Sequence, residues 1–308
     1  MHELIIIGGG PAASAAAVYA ARKRINTVLV AGEFGGQSTV STDIQNWIGT
    51  PHISGADLAK SLKAHVMEYA GDMLSVKEGR LVTAISGTAG NFTITLDNGE
   101  EIVARSVLIA SGSKRRQLDV PGAAEFEHKG LTYCASCDGP IFSGQPVIVI
   151  GGGNAGFETA AQLLAYCSSV TLLNRSDTFR ADEITVAQTL KDPKFKAIKN
   201  IEMIDVFGTD FVEGMTIKHT ATGEIEKLVA SGIFVEIGQL PNSDCAKGIV
   251  ELLPTGQIKI DPRTQATNVT GIWAAGDVTD VLYHQNNIAA GDAVRALEDI
   301  YIWLHKNK

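Results

Sequence analysis

The stretch "ELIIIGGGPAASAAAVYAARKRINTVLVAG", residues 3–32, decides the fold. Leu4 to Ile7 is an apolar run of strand length, followed by a glycine turn. An Ala-rich helix is expected from Pro11 to Arg24, and a second apolar strand from Thr27 to Val30. Gly8, Gly10 and Ala13 fall on the G-x-G-x-x-G/A spacing of a dinucleotide-binding βαβ unit. The glycines allow the tight turn and let backbone amides approach a pyrophosphate. The helix N-terminus then adds unpaired N–H donors and a favourable dipole. A glycine turn in some other α/β protein would share the spacing, but the strand before it and the helix after it favour a nucleotide site. Gly8, Gly10, Pro11 and Ala12 are candidate cofactor-binding residues.

The pattern returns in "PVIVIGGGNAGFETAAQLLAYCSSVTLLNRSDTFR", residues 146–180. A strand is expected at Val147–Ile150, a helix from about Ala155 to Tyr166, and a strand at Val170–Leu173. Gly151, Gly153 and Gly156 complete the fingerprint, with Asn154 and Ala155 at the helix start. Two such units in one chain imply two dinucleotide sites, and the pairing suggests electron transfer between a flavin and a nicotinamide. An acid at the end of the second strand would bind a ribose 2′-hydroxyl, whereas arginine suits a 2′-phosphate. Here the position is Asn174, with Arg175 and Arg180 following, which favours NADPH; Asp177 keeps NADH open. Solvated surface arginines would read the same way.

Between the fingerprints, "GNFTITLDNGEEIVARSVLIASG" (90–112) alternates like strands around an Asn-Gly turn and ends in an apolar strand at Ser106–Ala110. "VPG" at 120–122 reads as a linker turn. In "TNVTGIWAAGDVTD" (267–280), a strand at Gly271–Ala275 delivers Gly276 and Asp277 to its C-terminal end. Ligands bind at such ends in doubly wound sheets, so Asp277 is a candidate for a ribose or polyol hydroxyl; an Asp that merely turns the chain fits equally well.

Composition narrows the class. The 308 residues are 45% hydrophobic and 19% charged, enough for one large or two medium cores. A net charge of −8 without a basic stripe argues against nucleic acid as a partner. No apolar run is long enough to span a bilayer, and the chain opens directly into a strand without the pattern of a secretory signal. Four cysteines are too few for a secreted disulfide scaffold, so a cytoplasmic setting is expected.

Two of those cysteines stand together in "YCASCDGP", residues 133–140. Zinc would need a second close ligand pair, and Cys167 and Cys245 are far apart in sequence; Cys167, expected on the second fingerprint's helix, suits a small core residue. A structural disulfide would close a very small loop and stabilise little. A reversible dithiol remains: one thiolate attacks, the other resolves. Asp138 could hand a proton to the leaving thiolate, or cap a helix, and the two roles are compatible.

Together these motifs resemble the low-molecular-weight thioredoxin reductases, class II of the pyridine nucleotide-disulfide oxidoreductases. The likeness runs through "GGGPAA", "FGGQ" (34–37), "IQNWIG" (44–49), "YCASCDGP", "GGGNAGFETA", "GIFVEIGQLPN" (232–242), "GIWAAGDVTD" and "YHQNNIAAGDA" (283–293), nearly the whole chain. "ARKRINTVLVAGEFGGQ", "LKAHVMEY" and "CDGPIFSG" are especially similar to the flavoprotein subunit of alkyl hydroperoxide reductase, without that protein's N-terminal redox domain.

The resemblance implies two Rossmann-like (three-layer ββα) domains, the NAD(P)H domain inserted into the FAD domain. The expected parts are residues 1–116 and 244–308 for FAD and 117–243 for NAD(P)H and the Cys pair. FAD is expected around Gly8, Gly10, Pro11, Gly36, Gln37, Asn46, Gly276, Asp277 and Gln285. By the same resemblance Cys137 faces the flavin, Cys134 attacks the partner disulfide, and the inserted domain rotates to alternate the two encounters. The family is homodimeric and cytoplasmic.

Departures are local. The family's NADPH signature His-Arg-Arg-x-x-x-Arg becomes Asn174-Arg175-Ser176 and then Arg180, while hydroperoxide-reductase relatives carry an acid first. Ala110-Ser111-Gly112 replaces Ala-Thr-Gly, and His284 stands for a basic residue. The expected activity is thioredoxin-disulfide reduction, with NADPH or NADH as donor and a thioredoxin-like or glutaredoxin-like protein as acceptor. Alternatives are an NADH-dependent reductase of a glutaredoxin-like or peroxiredoxin partner, a flavin-dependent thiol oxidase, or a redox-sensing flavoprotein without turnover.

Overall fold

The computed structural model describes residues 1–41 and 43–307; the side chains of Val40, Ser136 and Cys137 lie outside the described residues. In chain order the first elements are β1 (His2–Ile7), α1 (Pro11–Arg22), β2 (Thr27–Ala31), α2 (Gly55–Glu68), β3 (Leu74–Glu78), β4 (Val82–Thr88), β5 (Asn91–Leu96), β6 (Glu101–Ile109) and β7 (Ser113–Arg115). Then come β8 (Leu131–Thr132), α3 (Ala135–Asp138), β9 (Pro146–Ile150), α4 (Asn154–Leu163), β10 (Ser169–Leu173), α5 (Glu183–Thr189) and β11 (Phe195–Ile198). The chain continues through β12 (Ile201–Gly208), β13 (Val212–His219), β14 (Ile225–Val229), β15 (Gly232–Val235), β16 (Gln239–Pro241), β17 (Ile272–Ala274) and α6 (Asn286–Lys306). Two compact units result: residues 1–114 with 240–308, and residues 115–239 between them in sequence.

The first unit is built on the opening strand. Strand order is β3-β2-β1-β6-β5-β4, with β17 also pairing β6. The β1–β2, β1–β6, β2–β3 and β17–β6 pairs are parallel, while β4–β5 and β5–β6 are antiparallel. Successive side chains of a strand point to opposite faces. Leu4 and Ile6 therefore enter a core with Ala13, Ala16, Ala17, Ala293 and Leu297 from α1 and α6. Ile5 and Ile7 enter a second core with Phe92, Ile94 and Leu96 from the antiparallel strands. A strand covered on both faces takes apolar side chains on both, which is why the Leu4–Ile7 run is unbroken. Each such side chain contributes about 1.5–3 kcal/mol by leaving water. β6 joins the layers: Glu101 to Ala104 pair with β5 and Ala104 to Ile109 with β1.

The second unit repeats the three layers. Its parallel sheet runs β11-β10-β9-β15-β8, and β12-β13-β14 form an antiparallel sheet. Val147, Val149 and Phe234 pack with Phe157, Ala160 and Leu163 of α4. Ile148, Ile150, Ile233 and Val235 pack on the other face with Val206, Met215 and Ile217. Both units are thus dinucleotide-binding folds of helix, parallel sheet and antiparallel sheet.

Two local expectations change. The helix after the second glycine turn ends at Leu163, so Cys167 lies beyond it, buried in the core of α4, β9 and β10. The segment at 120–122 is a turn within the second unit rather than a link between units: the Val206 amide donates to Pro121 O, and Gly122 has φ +81°.

Candidate active site

In the first unit, the turn after β1 fits only glycine. Gly8 has φ +129°, and a Cβ there would stand 2.1 Å from the Ala110 carbonyl oxygen. The chain can therefore turn sharply from β1 into α1 beside the end of β6. α1 starts at Gly10 with no side-chain cap and Pro11 in its first turn, so its first amides are left for a ligand. A cavity of about 620 Å³ opens over this turn. Gly8, Gly10, Pro11, Ala12, Gly36, Gln37, Gly276 and Asp277 line it.

Inside it, Gln37 Nε2 donates to Ser113 Oγ at 3.1 Å, and Ser38 Oγ donates to Asn286 Oδ1 at 2.9 Å. His284 Nδ1 lies 3.3 Å from Asp277 Oδ1. Asn46 and Gln285 do not line the cavity but pair with each other, Nδ2 to Oε1, at 3.0 Å. The Asn287 side-chain amide donates to Asn46 O at 2.7 Å, so the 44–49 segment is tied to the start of α6.

The cavity also reveals Glu33, an acid just past β2, where a ribose hydroxyl would be read. Its signal is present in the sequence, as the carboxylate that follows "VLVAG". Ser111, Lys114 and Asn242 line the cavity as well, and only tertiary structure brings Asn242 there. The glycine turn, the uncapped helix start and the acid fit a dinucleotide such as FAD.

The second unit carries the matching turn. Gly151 also has φ +129°, and a Cβ on it would lie 2.2 Å from the Glu236 carbonyl oxygen. Gly156 backs onto the turn, where an added Cβ would stand 1.8 Å from Gly151 O. α4 begins at Gly153 with no side-chain cap. Asn154 Oδ1 accepts from the Asp182 amide at 2.7 Å, and the Arg180 amide donates to Gly152 O at 2.8 Å. The 174–182 loop is thereby fastened beside the helix start, with Ala155 exposed in the first turn.

Asn174 is buried. Its Nδ2 donates to Ser176 O and Thr178 O, both at 2.9 Å. Its Oδ1 lies against Gly152, where an added Cβ would approach it to 2.5 Å. The amide donors are spent on the loop, leaving the oxygen as an acceptor. Arg175 and Arg180 are exposed on the same loop.

The Cys-x-x-Cys motif follows β8 at the edge of this sheet. Cys134 is disulfide-bonded, and the Cys137 side chain lies outside the described residues. Thr132 Oγ1 donates to Asp138 Oδ2 and accepts from the Cys134 amide at 3.4 Å. Burial pushes the Asp138 carboxyl above the usual range, opposed by the Thr132 bond and then by His128 and Arg115. Asp138 ends α3 and makes no side-chain cap, so the capping role is not realised; its oxygen is committed to Thr132. Cys167 and Cys245 are free and buried. Burial raises both thiols, Cys245 to about 11, which keeps them unreactive.

One chain thus combines two dinucleotide-binding folds with a disulfide just after the edge strand of the second one's sheet. The model of the pyridine nucleotide-disulphide oxidoreductase family matches residues 2–293, and the chain belongs to that family. The chain is similar over 99% of both lengths to the thioredoxin reductase of Streptococcus pyogenes MGAS5005, at 30% identity and a TM-score of 0.88. The thioredoxin reductase of Giardia duodenalis gives 29% identity over 99% of both chains, with a TM-score of 0.89.

Among curated proteins, an alkyl hydroperoxide reductase subunit of Xanthomonas campestris pv. phaseoli is 40% identical over 96% of the chain and 55% of its own length. A Bacillus subtilis (strain 168) protein named NADH dehydrogenase is 36% identical over 99% of the chain and 59% of its own length. The chain therefore spans little more than half of these curated relatives. Among the described residues, no helix is long and apolar enough to cross a membrane.

Proposed function

We propose that the chain is an NAD(P)H-dependent disulfide reductase that delivers two electrons through Cys134 and Cys137 to the disulfide of a small thioredoxin-like protein. The observation that carries the reading is the placing of the Cys134 disulfide at the end of β8, on the same parallel sheet whose β9 opens the second dinucleotide turn. The first unit's turn, with Glu33, Gln37 and Asp277, would hold FAD, which supplies the two-electron relay between hydride donor and disulfide when bound. The turn at Gly151 would hold the nicotinamide dinucleotide.

The protein's own groups then do the thiol chemistry. Two electrons and a proton open the disulfide to one thiol and one thiolate, and a carboxyl raised by burial is suited to supply the proton; Asp138 is that group. In the order the resemblance implies, the Cys134 thiolate attacks the partner disulfide, forming a mixed disulfide and releasing one partner thiolate. The Cys137 thiolate attacks the Cys134 sulfur, freeing the second partner thiol and restoring the disulfide.

The names of the structural neighbours support thioredoxin as the acceptor. A second reading takes support from the alkyl hydroperoxide reductase and NADH dehydrogenase relatives: the acceptor is a glutaredoxin-like module or peroxiredoxin, with NADH as donor. The test is steady-state oxidation of NADPH and NADH by the FAD-loaded chain, with thioredoxin, a glutaredoxin-like protein and a peroxiredoxin as acceptors. Cys137→Ser should retain anaerobic bleaching of the flavin by NADPH and lose acceptor reduction. Retained acceptor reduction would overturn the reading. Consumption of NADPH with oxygen alone would point to an oxidase.

A further inference from the structure

One buried carboxyl of the second unit has no task in the thiol chemistry. Glu236 follows β15, which lies between β9 and β8 in the sheet. The register sets Val235 beside Ile150 and Phe234 beside Thr132. Three strand ends thus lie side by side: the glycine turn after Ile150, Glu236 after Val235, and the Cys134 segment after Thr132. The βαβ connection carries the chain from β9 outward to β10, whereas β15 and β8 lie on β9's other side. Order reverses there, and such switch points are where open parallel sheets take ligands.

Glu236 is locked at this point by backbone and side chain. Its amide donates to Ile150 O at 2.8 Å, and its carbonyl oxygen fills the space that a Gly151 side chain would need. Thr159 Oγ1, on α4, donates to Glu236 Oε1 at 3.0 Å. Arg115 Nη1 stands 3.6 Å from Glu236 Oε2, outside hydrogen-bond distance. The side chain is 12% exposed. The backbone of Glu236 is therefore packed against the turn expected to receive a pyrophosphate, and its carboxyl lies against the helix that this turn opens; a carboxylate there and a pyrophosphate at the turn repel when both are charged.

We infer that Glu236 is a positioning residue that makes binding of the nicotinamide dinucleotide proton-linked: its neutral carboxyl admits the pyrophosphate at the Gly151 turn, and its carboxylate weakens it. This rests on the second unit being the nicotinamide site. Burial pushes the Glu236 carboxyl up to about 7, so the switch falls within the working range. The groups that face it are Arg115 from β7, which opposes that rise, and Glu158 from α4, which adds to it. Arg115 also acts on Asp138 and Tyr133 beyond β8, so one cation bears on Glu236 and on the disulfide segment alike.

The test is calorimetric titration of the FAD-loaded full chain with NAD⁺, which carries no 2′-phosphate to titrate. Buffers of different ionisation enthalpy report proton uptake. Wild type should take up protons on binding near pH 7, and its Kd should weaken about fivefold from pH 6 to pH 8. Glu236→Gln should take up none and keep a flat Kd across that range. Thr159→Val, which removes a bond favouring the carboxylate, should move the wild-type inflection to higher pH. Matching profiles in wild type and Glu236→Gln would overturn the inference and leave the disulfide reductase reading standing. Should Glu236→Gln fail to fold, an unmoved inflection in Thr159→Val would overturn it equally. Absence of NAD⁺ binding to wild type at every pH would remove the nicotinamide site itself, and the inference with it.

Discussion

The Thr132 hydroxyl donates to the Asp138 carboxylate across the turn that carries Cys134. That bond holds the carboxyl beside the redox segment and favours its ionised form, while burial favours the neutral one and prevails. Removing the donor should therefore raise Asp138 further. Thr132→Val is expected to shift the alkaline limb of disulfide turnover to higher pH. Asp138→Asn should lower turnover on the order of 100-fold, the lower end of what a positioned acid supplies. Flavin bleaching by NADPH should be unchanged in both variants. Stopped-flow traces with and without a disulfide acceptor separate the two steps, and slowed bleaching in Asp138→Asn would count against an acid role.

The two glycine turns predict separable losses. Gly8→Ala places a methyl group 2.1 Å from Ala110 O at φ +129°, and Gly151→Ala places one 2.2 Å from Glu236 O at the same φ. Backbone cannot yield cheaply at either position. Gly8→Ala should be purified largely without flavin. Gly151→Ala should retain its flavin yellow colour and lose nicotinamide binding by at least about 100-fold, as a strained and displaced turn costs several kcal/mol. Absorbance at purification and NAD⁺ titration read the two outcomes. Equal flavin loss in both variants would contradict two separate sites.

Glu236 also carries a stability prediction. Its folded value is about 7 against an ordinary 4.5, so the protonated form is the one folding favours. The stability it contributes is complete below pH 4.5 and is lost as pH rises through about 7. Glu236→Gln keeps the shape without the charge. Its stability relative to wild type should increase between pH 5 and pH 8, by at most on the order of 3 kcal/mol. The three tryptophans, at 47, 273 and 303, all lie in the first unit, so their emission would miss the effect. Hydrogen exchange of Gly232–Val235 reports it directly. A pH-independent difference would show that the carboxyl is not held neutral.

What is legible in the sequence is local. The Leu4–Ile7 and Val147–Ile150 runs announce strands buried on both faces, and the glycine spacing announces the turns, because both signals lie within a few residues of the chain. The expectation of a helical Cys167 fails for the same reason: Leu163, Leu164 and Tyr166 keep an apolar helical rhythm that the chain abandons after Leu163, where the turn toward β10 begins. Pairings across the sheet leave no such mark. Asn242 reaches the first cavity and Thr159 reaches Glu236 only through folding, and nothing in either neighbourhood of the sequence indicates the meeting. Glu33 is the exception, since its distance from the first turn can be read directly.

The 174–180 loop predicts a donor preference. Asn174 has no amide hydrogens left to offer, and its oxygen is an acceptor that suits the 2′-hydroxyl of NADH without adding charge. Arg175 and Arg180, both exposed on the loop, suit the 2′-phosphate of NADPH. A site with both should use both donors, with NADPH ahead by the strength of exposed charge pairs, about 1 kcal/mol each, or severalfold in kcat/KM. Arg175→Ala should lower kcat/KM for NADPH about fivefold and leave that for NADH within about twofold. Asn174→Glu should act in the same sense, placing a carboxylate against the 2′-phosphate and sparing the 2′-hydroxyl. Because the NADPH contribution is exposed, it should also fall as salt rises, with the NADH value holding steady. Parallel kinetics with the two donors at low and high ionic strength check all three outcomes, and an NADPH advantage that survives Arg175→Ala, Arg180→Ala and high salt would place its source elsewhere.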